Sequence, residues 1–154
     1  MNLSTGQVAP EFNLPDAQGV MHSLKQYAGK WVLLYFYPKD DTAGCTTEAC
    51  GIRDSWEEFK KQGIVVLGVS ADSEKSHQKF INKYQLPFTL LSDESKTVIN
   101  AYNSWGQKKF MGREYDGILR NSFLINPQGQ IAKIYEGVKP ETHATEVLRD
   151  TKTL

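Results

Sequence analysis

Two stretches of the chain are apolar almost without interruption, KWVLLYFYP over 30–38 and GIVVLGVSAD over 63–72. Such runs, bounded by Pro or Gly, predict strands buried on both faces, as in the middle of an α/β sheet. Between them the period changes. Ala49, Ile52, Trp56 and Phe59 follow at steps of three, four and three, which is one stripe of a helix over 46–62. Strand, helix and second buried strand make a βαβ unit, so the two strands are expected to run parallel. Residues 11–24, EFNLPDAQGVMHSL, alternate around DAQG as a short hairpin. Residues 72–85 predict a helix capped by Asp72 or Ser73, with Phe80, Ile81 and Tyr84 inward. Pro87 pushes the strand over 87–93 toward a sheet edge. A short helix is expected over 94–103. Residues 104–118 hold three glycines and show no clean period, which predicts a loop. LRNSFLI and QIAKIYE flank NPQG (126–129) as a second hairpin, and Pro140 is placed to open a terminal helix reaching about Asp150.

Taken together, these elements predict an α/β chain. Its central mixed sheet is flanked by helices, with an N-terminal hairpin extension, and the arrangement is similar to a thioredoxin-like fold. There is no internal repeat, low-complexity tract or linker, so residues 1–154 are expected to form one domain. Lys plus Arg and Asp plus Glu number 18 each, for a formal charge of zero. That balance offers no field for nucleic acid and no basic block for a membrane surface. The run WVLLYFY (31–37) is too short to span a bilayer. The start, MNLSTGQVAP, has no basic segment followed by an apolar one, so the cytoplasm is the expected compartment. Two cysteines there are expected as reduced thiols, catalytic or inert.

Both cysteines lie in PKDDTAGCTTEAC (38–50), as Cys45 and Cys50. Cys45 falls where the first buried strand hands over to the helix, at the carboxyl end where open α/β sheets place their sites. A helix N-terminus also favours an anion, and a thiolate is one. Thr42, three residues earlier, is the expected N-cap, and Pro38 stiffens the approach to the loop. One turn back from Ala49, Cys45 shares the buried stripe. On an ideal helix Cys50 stands roughly 140° round from it, with the two Cα atoms roughly 8.5 Å apart. A disulfide needs them within about 7 Å. The pair therefore never bonds, or bonds only when the helix unwinds. A buried helical cysteine is most often inert packing, and the position and the partner weigh against that here. His22, His77 and His143 have no ligand-like spacing, so no metal site is expected and each is read as an ordinary surface residue.

YFYPKDDTAGCTTEAC resembles the active-site stretch of the peroxiredoxins, Pro-x-x-x-Thr-x-x-Cys, filled here by Pro38, Thr42 and Cys45. A second cysteine five residues on is similar to the peroxiredoxin Q, or bacterioferritin comigratory protein, group. The likeness continues through APEFNLPDAQG, VLGVSAD, FTLLSDE, the WG…K…FMG…YDGI segment and RNSFLI. It implies a thiol peroxidase that acts on hydrogen peroxide and organic hydroperoxides without metal, haem or flavin. Cys45 would be the peroxidatic thiol and Cys50 the resolving one, and thioredoxin or a similar dithiol protein would reduce their disulfide. Thr42 would contact the peroxide. Arg120, read as lying on a strand, would hold the thiolate, and Glu48 would orient Arg120. Phe36, Trp105 and Phe110 are the candidates for the pocket walls, and a resolving thiol on the same helix makes a monomer the expected state. Ala43 stands where the family usually has proline. Two other readings compete: a thiol-disulfide oxidoreductase, which would want the Cys-x-x-Cys this chain lacks, and a redox sensor passing its disulfide to a partner.

Overall fold

A computed structural model describes residues 3–154. The first hairpin pairs Asn13–Pro15 (β1) with Met21–Ser23 (β2) antiparallel around Asp16, whose Oδ1 accepts from the backbone N–H groups of Gln18 and Val20. Trp31–Phe36 (β3) follows, then Ala43–Asp54 (α1) and Trp56–Lys61 (α2). The helix expected over 46–62 thus starts three residues earlier and is interrupted at Ser55, which leaves helical geometry at φ −102°, ψ 12°. Ile64–Ser70 (β4) runs parallel to β3, completing the expected βαβ unit. Glu74–Tyr84 (α3) is capped by Ser73, whose hydroxyl accepts from the Ser76 N–H. Thr89–Ser92 (β5) pairs with β4 at the sheet edge, as Pro87 predicted, and Thr97–Ala101 (α4) follows.

Residues 105–118 are not a loop. Trp105–Phe110 (β6) and Arg113–Ile118 (β7) form an antiparallel ribbon around Met111 and Gly112, at φ 52° and 78°. That is the two-residue turn suited to hairpin twist. The ribbon pairs with neither edge of the main sheet and most of its residues are exposed. Only its base, Trp105 and Ile118, packs on the core, so the rest of the ribbon shows no alternation in the sequence to betray it. Ser122–Ile125 (β8) and Ile131–Tyr135 (β9) make the second expected hairpin. The last helix, His143–Thr151 (α5), begins three residues after Pro140 rather than at it.

The main sheet has the order β5-β4-β3-β8-β9, with β3, β4 and β5 mutually parallel, β8 antiparallel to β3, and β9 antiparallel to β8. Its two faces are sorted by strand parity. Leu33 and Tyr35 of β3, and Tyr37 just beyond its end, pack with Cys45, Ala49, Ile52, Phe59, Phe80 and Val147. Val32, Leu34 and Phe36 pack on the opposite side with Phe12, Ile99, Tyr102 and Phe123. Helices α1, α2, α3 and α5 therefore cover one face, and α4 with the N-terminal segment covers the other. Each fully buried Leu or Phe contributes about 1.5–3 kcal/mol. Gly68 faces Tyr35 across the β3–β4 pair, and a Cβ there would lie 2.8 Å from the ring. Its lack of a side chain is what lets that tyrosine enter the core.

Candidate active site

Thr42 is the N-cap of α1, in extended geometry at φ −99°, ψ 161°. Its carbonyl accepts the first helical bond, from the Thr46 N–H at 2.8 Å. Its hydroxyl does not reach back over the first turn, as an ordinary cap would; it donates to the Lys39 carbonyl at 2.8 Å and closes the loop. Cys45 is thus the third helical residue, 1% exposed, with its side chain in the cluster beneath α1. Cys50 lies on the same unbroken helix, half-buried, and both thiols are free.

Arg120 is not on a strand. It sits in the connector between β7 and β8, and from there its guanidinium spans two side chains of α1. Nη2 donates to Cys45 Sγ at 3.4 Å and Nη1 to Glu48 Oε1 at 2.9 Å. Glu48 is 1% exposed. Burial pushes its carboxyl up to about 7, against the opposing pull of Arg120. Burial also works against the Arg120 charge, but Cys45 and Glu48 hold it above its ordinary value. Gly44 leaves space for this arrangement: a Cβ there would stand 2.9 Å from Arg120 Nη2.

The loop delivering the helix is held by a buried polar network. Asp40 accepts from the Tyr37 hydroxyl at 2.5 Å and from Ser76 Oγ at 2.8 Å, and meets His77 Nδ1 at 2.7 Å. His77 Nε2 faces the Leu91 carbonyl at 3.0 Å and must donate to it. The His77–Asp40 contact therefore holds one further proton. The backbone N–H of Asp40 donates to Asp72, which also accepts from Ser70. Asp40, Asp72 and His77 are the one cluster of metal-ligating residue types among the described residues. Each of the ligand atoms is already bonded within the protein, so the cluster reads as a structural anchor.

Several expectations need correcting. His77 and His143 are not surface residues; both are fully buried, His143 between Ser122 Oγ at 2.8 Å and Glu146 at 3.1 Å. His22 is half-buried, between Tyr27 and Asp16. Partners for both ring nitrogens make this burial tolerable. Phe36 is fully buried on the sheet face opposite Cys45. Trp105 packs on that same face beneath Lys96, and Phe110 is 66% exposed on the ribbon. A cleft of about 870 Å³ reaches Arg120 between the ribbon and the sheet, lined by Tyr102, Lys108, Leu119 and Phe123 among others, and none of the three expected wall residues lines it. Tyr35, two places before Tyr37, was missed. Its parity with Leu33 and Tyr37 places it on the Cys45 side, and strand alternation alone would have found it.

A free, oxidisable thiol at the N-terminus of a helix, met by an arginine from a remote connector of a thioredoxin-like fold, is the arrangement of the thiol-redox class of proteins. The AhpC/TSA family pattern matches residues 5–134, and the chain belongs to that family, the peroxiredoxins, which are thiol peroxidases. It is 51% identical to the putative peroxiredoxin Bcp of Coxiella burnetii over 148 residues, 96% of this chain and 98% of that protein. It is 47% identical to peroxiredoxin Bcp of Escherichia coli over 95% of this chain and 94% of that one. A solved structure of the Xanthomonas campestris bacterioferritin comigratory protein, described for its alkyl peroxide reduction activity, superposes with a TM-score of 0.90 at 36% identity, over 97% of this chain and 98% of that one. Among the described residues no helix is long and apolar enough to cross a membrane.

Proposed function

We propose that Cys45 is the peroxidatic thiol of this peroxidase and Cys50 its resolving partner. The observation that carries this reading is the Arg120 Nη2 bond to Cys45 Sγ at a helix N-terminus. The guanidinium and the first-turn N–H groups both favour the anionic sulfur, and Arg120 remains placed to polarise a peroxide oxygen. The sulfur attacks the O–O bond and becomes a sulfenic acid, with alcohol or water leaving. Thr42 has committed its hydroxyl proton to Lys39, which leaves its oxygen as an acceptor for the peroxide O–H. Pro38 stiffens the approach to the loop, and Glu48 orients Arg120.

Both cysteines sit within α1, five residues apart, too far for a disulfide while the helix lasts. Resolution therefore requires α1 to unwind, after which Cys50 attacks the sulfenic sulfur and releases water. We assign the reduction of that disulfide to thioredoxin or a similar dithiol protein, acting by exchange. We assign the working form as a cytoplasmic monomer, since no second subunit is needed for resolution. Hydrogen peroxide and small organic hydroperoxides are the assigned substrates, with defence against oxidants as the physiological role.

The test is peroxide consumption with a thioredoxin system. Cys45→Ser should be inactive. Cys50→Ser should form a sulfenic acid that dimedone traps, without an internal disulfide. Activity in Cys45→Ser would overturn the assignment. Many turnovers by the unaltered chain separate a peroxidase from a single-turnover sensor.

A further inference from the structure

One guanidinium serves two acidic side chains in this site. Arg120 is the one cation bonded to Glu48 among the described residues, and the same group donates to Cys45. Glu48 Oε2 is buried and has no hydrogen-bond partner among the described residues. The Tyr35 hydroxyl is likewise buried without a partner among the described residues; its titration is pushed up by burial first, then by the charges of Glu48 and Cys45. Tyr35 from β3, Cys45 from α1 and Arg120 from the β7–β8 connector are the titratable groups around Glu48. Lys108 of β6 lies within the field of Arg120 and Cys45, with its ammonium donated to the Ile118 carbonyl. Asp40 lies near enough to act on Tyr35, and its carboxylate is bound to His77 of α3.

With Cys45 and Glu48 both ionised, two anions would share one cation, and a carboxylate oxygen would be left without solvent or donor. A proton on that oxygen removes the second charge and keeps the Arg120 bond through Oε1. When the sulfur is oxidised it becomes neutral, Arg120 then has one anion to serve, and the reason for the proton is gone. Resting on the assignment of Cys45 above, we propose that Glu48 holds a proton on Oε2 while Cys45 is a thiolate and releases it as the thiolate is consumed. In the balanced step, the Cys45 thiolate, the hydroperoxide and the Glu48 acid give the Cys45 sulfenic acid, the alcohol and the Glu48 carboxylate. The sulfur–oxygen bond forms from the sulfur's electron pair as the O–O bond breaks. The sulfur is oxidised by two electrons and the peroxide is reduced. The alkoxide leaving group is neutralised by a proton that Glu48 supplies in net terms. Glu48 acts through Arg120 as a positioning residue and also carries the site's spare proton. The rise of its carboxyl to about 7 makes the neutral form accessible near neutrality.

The test uses the full chain carrying Cys50→Ser, so that oxidation stops at the sulfenic acid. Infrared difference spectra are recorded on adding hydrogen peroxide at about pH 6.5, where a carboxyl so shifted is largely protonated. Sulfenic acid is scored in parallel by dimedone labelling. The expected result is loss of a protonated-carboxyl stretch approaching one per sulfenic acid, with gain of a carboxylate stretch. Both bands should move on labelling with ¹³C-glutamate and both should vanish in Glu48→Gln. The isotope shift carries the test should that variant fold poorly. Sulfenic acid formed without these bands overturns the proton proposal and leaves Cys45 in its role. No sulfenic acid at all overturns the assignment of Cys45 itself.

Discussion

Asp40 Oδ2 and His77 Nδ1 meet at 2.7 Å with both side chains almost fully withdrawn from water, and the pair ties the loop ahead of α1 to α3. Removing one partner of such a pair leaves the other buried and uncompensated, at a cost of about 3–5 kcal/mol. His77→Ala is therefore expected to lower stability by about that much, read from the urea midpoint. The neighbouring tie between Asp41 and Lys83 is exposed, with side chains 41% and 59% accessible. Lys83→Ala should cost under about 1 kcal/mol. Equal losses in the two variants would show that His77 is not the anchor.

Gly44 matters for what it leaves empty. The Cβ of Gly44→Ala would stand 2.9 Å from Arg120 Nη2, and the guanidinium would have to give way. A displacement on the 1 Å scale at a reacting centre lowers kcat/KM by about 100-fold. The methyl group otherwise meets only a flexible side chain and Pro140, so stability should change by less than about 1 kcal/mol. Competition kinetics and thermal unfolding of one preparation check both halves.

Ala43 is the first residue of α1, a position where proline fits without losing a helical bond. Ala43→Pro should stabilise the wound helix by about 0.4–1 kcal/mol through the flexible state. Formation of the Cys45–Cys50 disulfide should then slow by about 2–5-fold. Trp56 stands two residues beyond the end of α1, on α2, and its fluorescence in stopped flow reports the step. An unchanged or faster step would mean that unwinding does not limit it.

The raised Glu48 carboxyl also sets a pH dependence. Its value lies near 7 in the folded chain against 4.5 for the free group, so the folded state binds the extra proton between those limits. Its contribution is fully present below about pH 4.5 and is lost as pH rises toward 7, for a total of about 3 kcal/mol. Glu48→Gln removes this term. Relative to the parent chain, the variant should gain stability by about that amount between pH 4.5 and pH 8, in urea titrations at each pH. A constant difference across the range would show that the carboxyl does not titrate there.

Much of this was legible in the sequence because two signals are local. Apolar runs marked β3 and β4, and the three-four stripe marked the helices between them. The cysteine spacing on one helix carried the unwinding argument by itself, since helix geometry fixes the distance whatever surrounds it. The turn residues of both sheet hairpins were equally plain.

What the tertiary structure decided depends on partners remote in sequence. Arg120 sits on no regular element, and its place beside Cys45 follows from the pairing of β3 with β8, which folds the preceding connector over α1. His77 and His143 are buried because Asp40, Leu91, Ser122 and Glu146 come to meet them, and nothing in their neighbourhoods along the chain announces it. The ribbon of β6 and β7 buries only its base, Trp105 and Ile118, and leaves no hydrophobic period to read. Phe36, a candidate for the pocket wall, faces away from Cys45 because each step along a strand turns a side chain to the opposite face. Sequence alone therefore determined where the two thiols stand and that they cannot bond while the helix stays wound. The sheet pairing decided which charges meet the sulfur, because electrostatics acts through space and not along the chain.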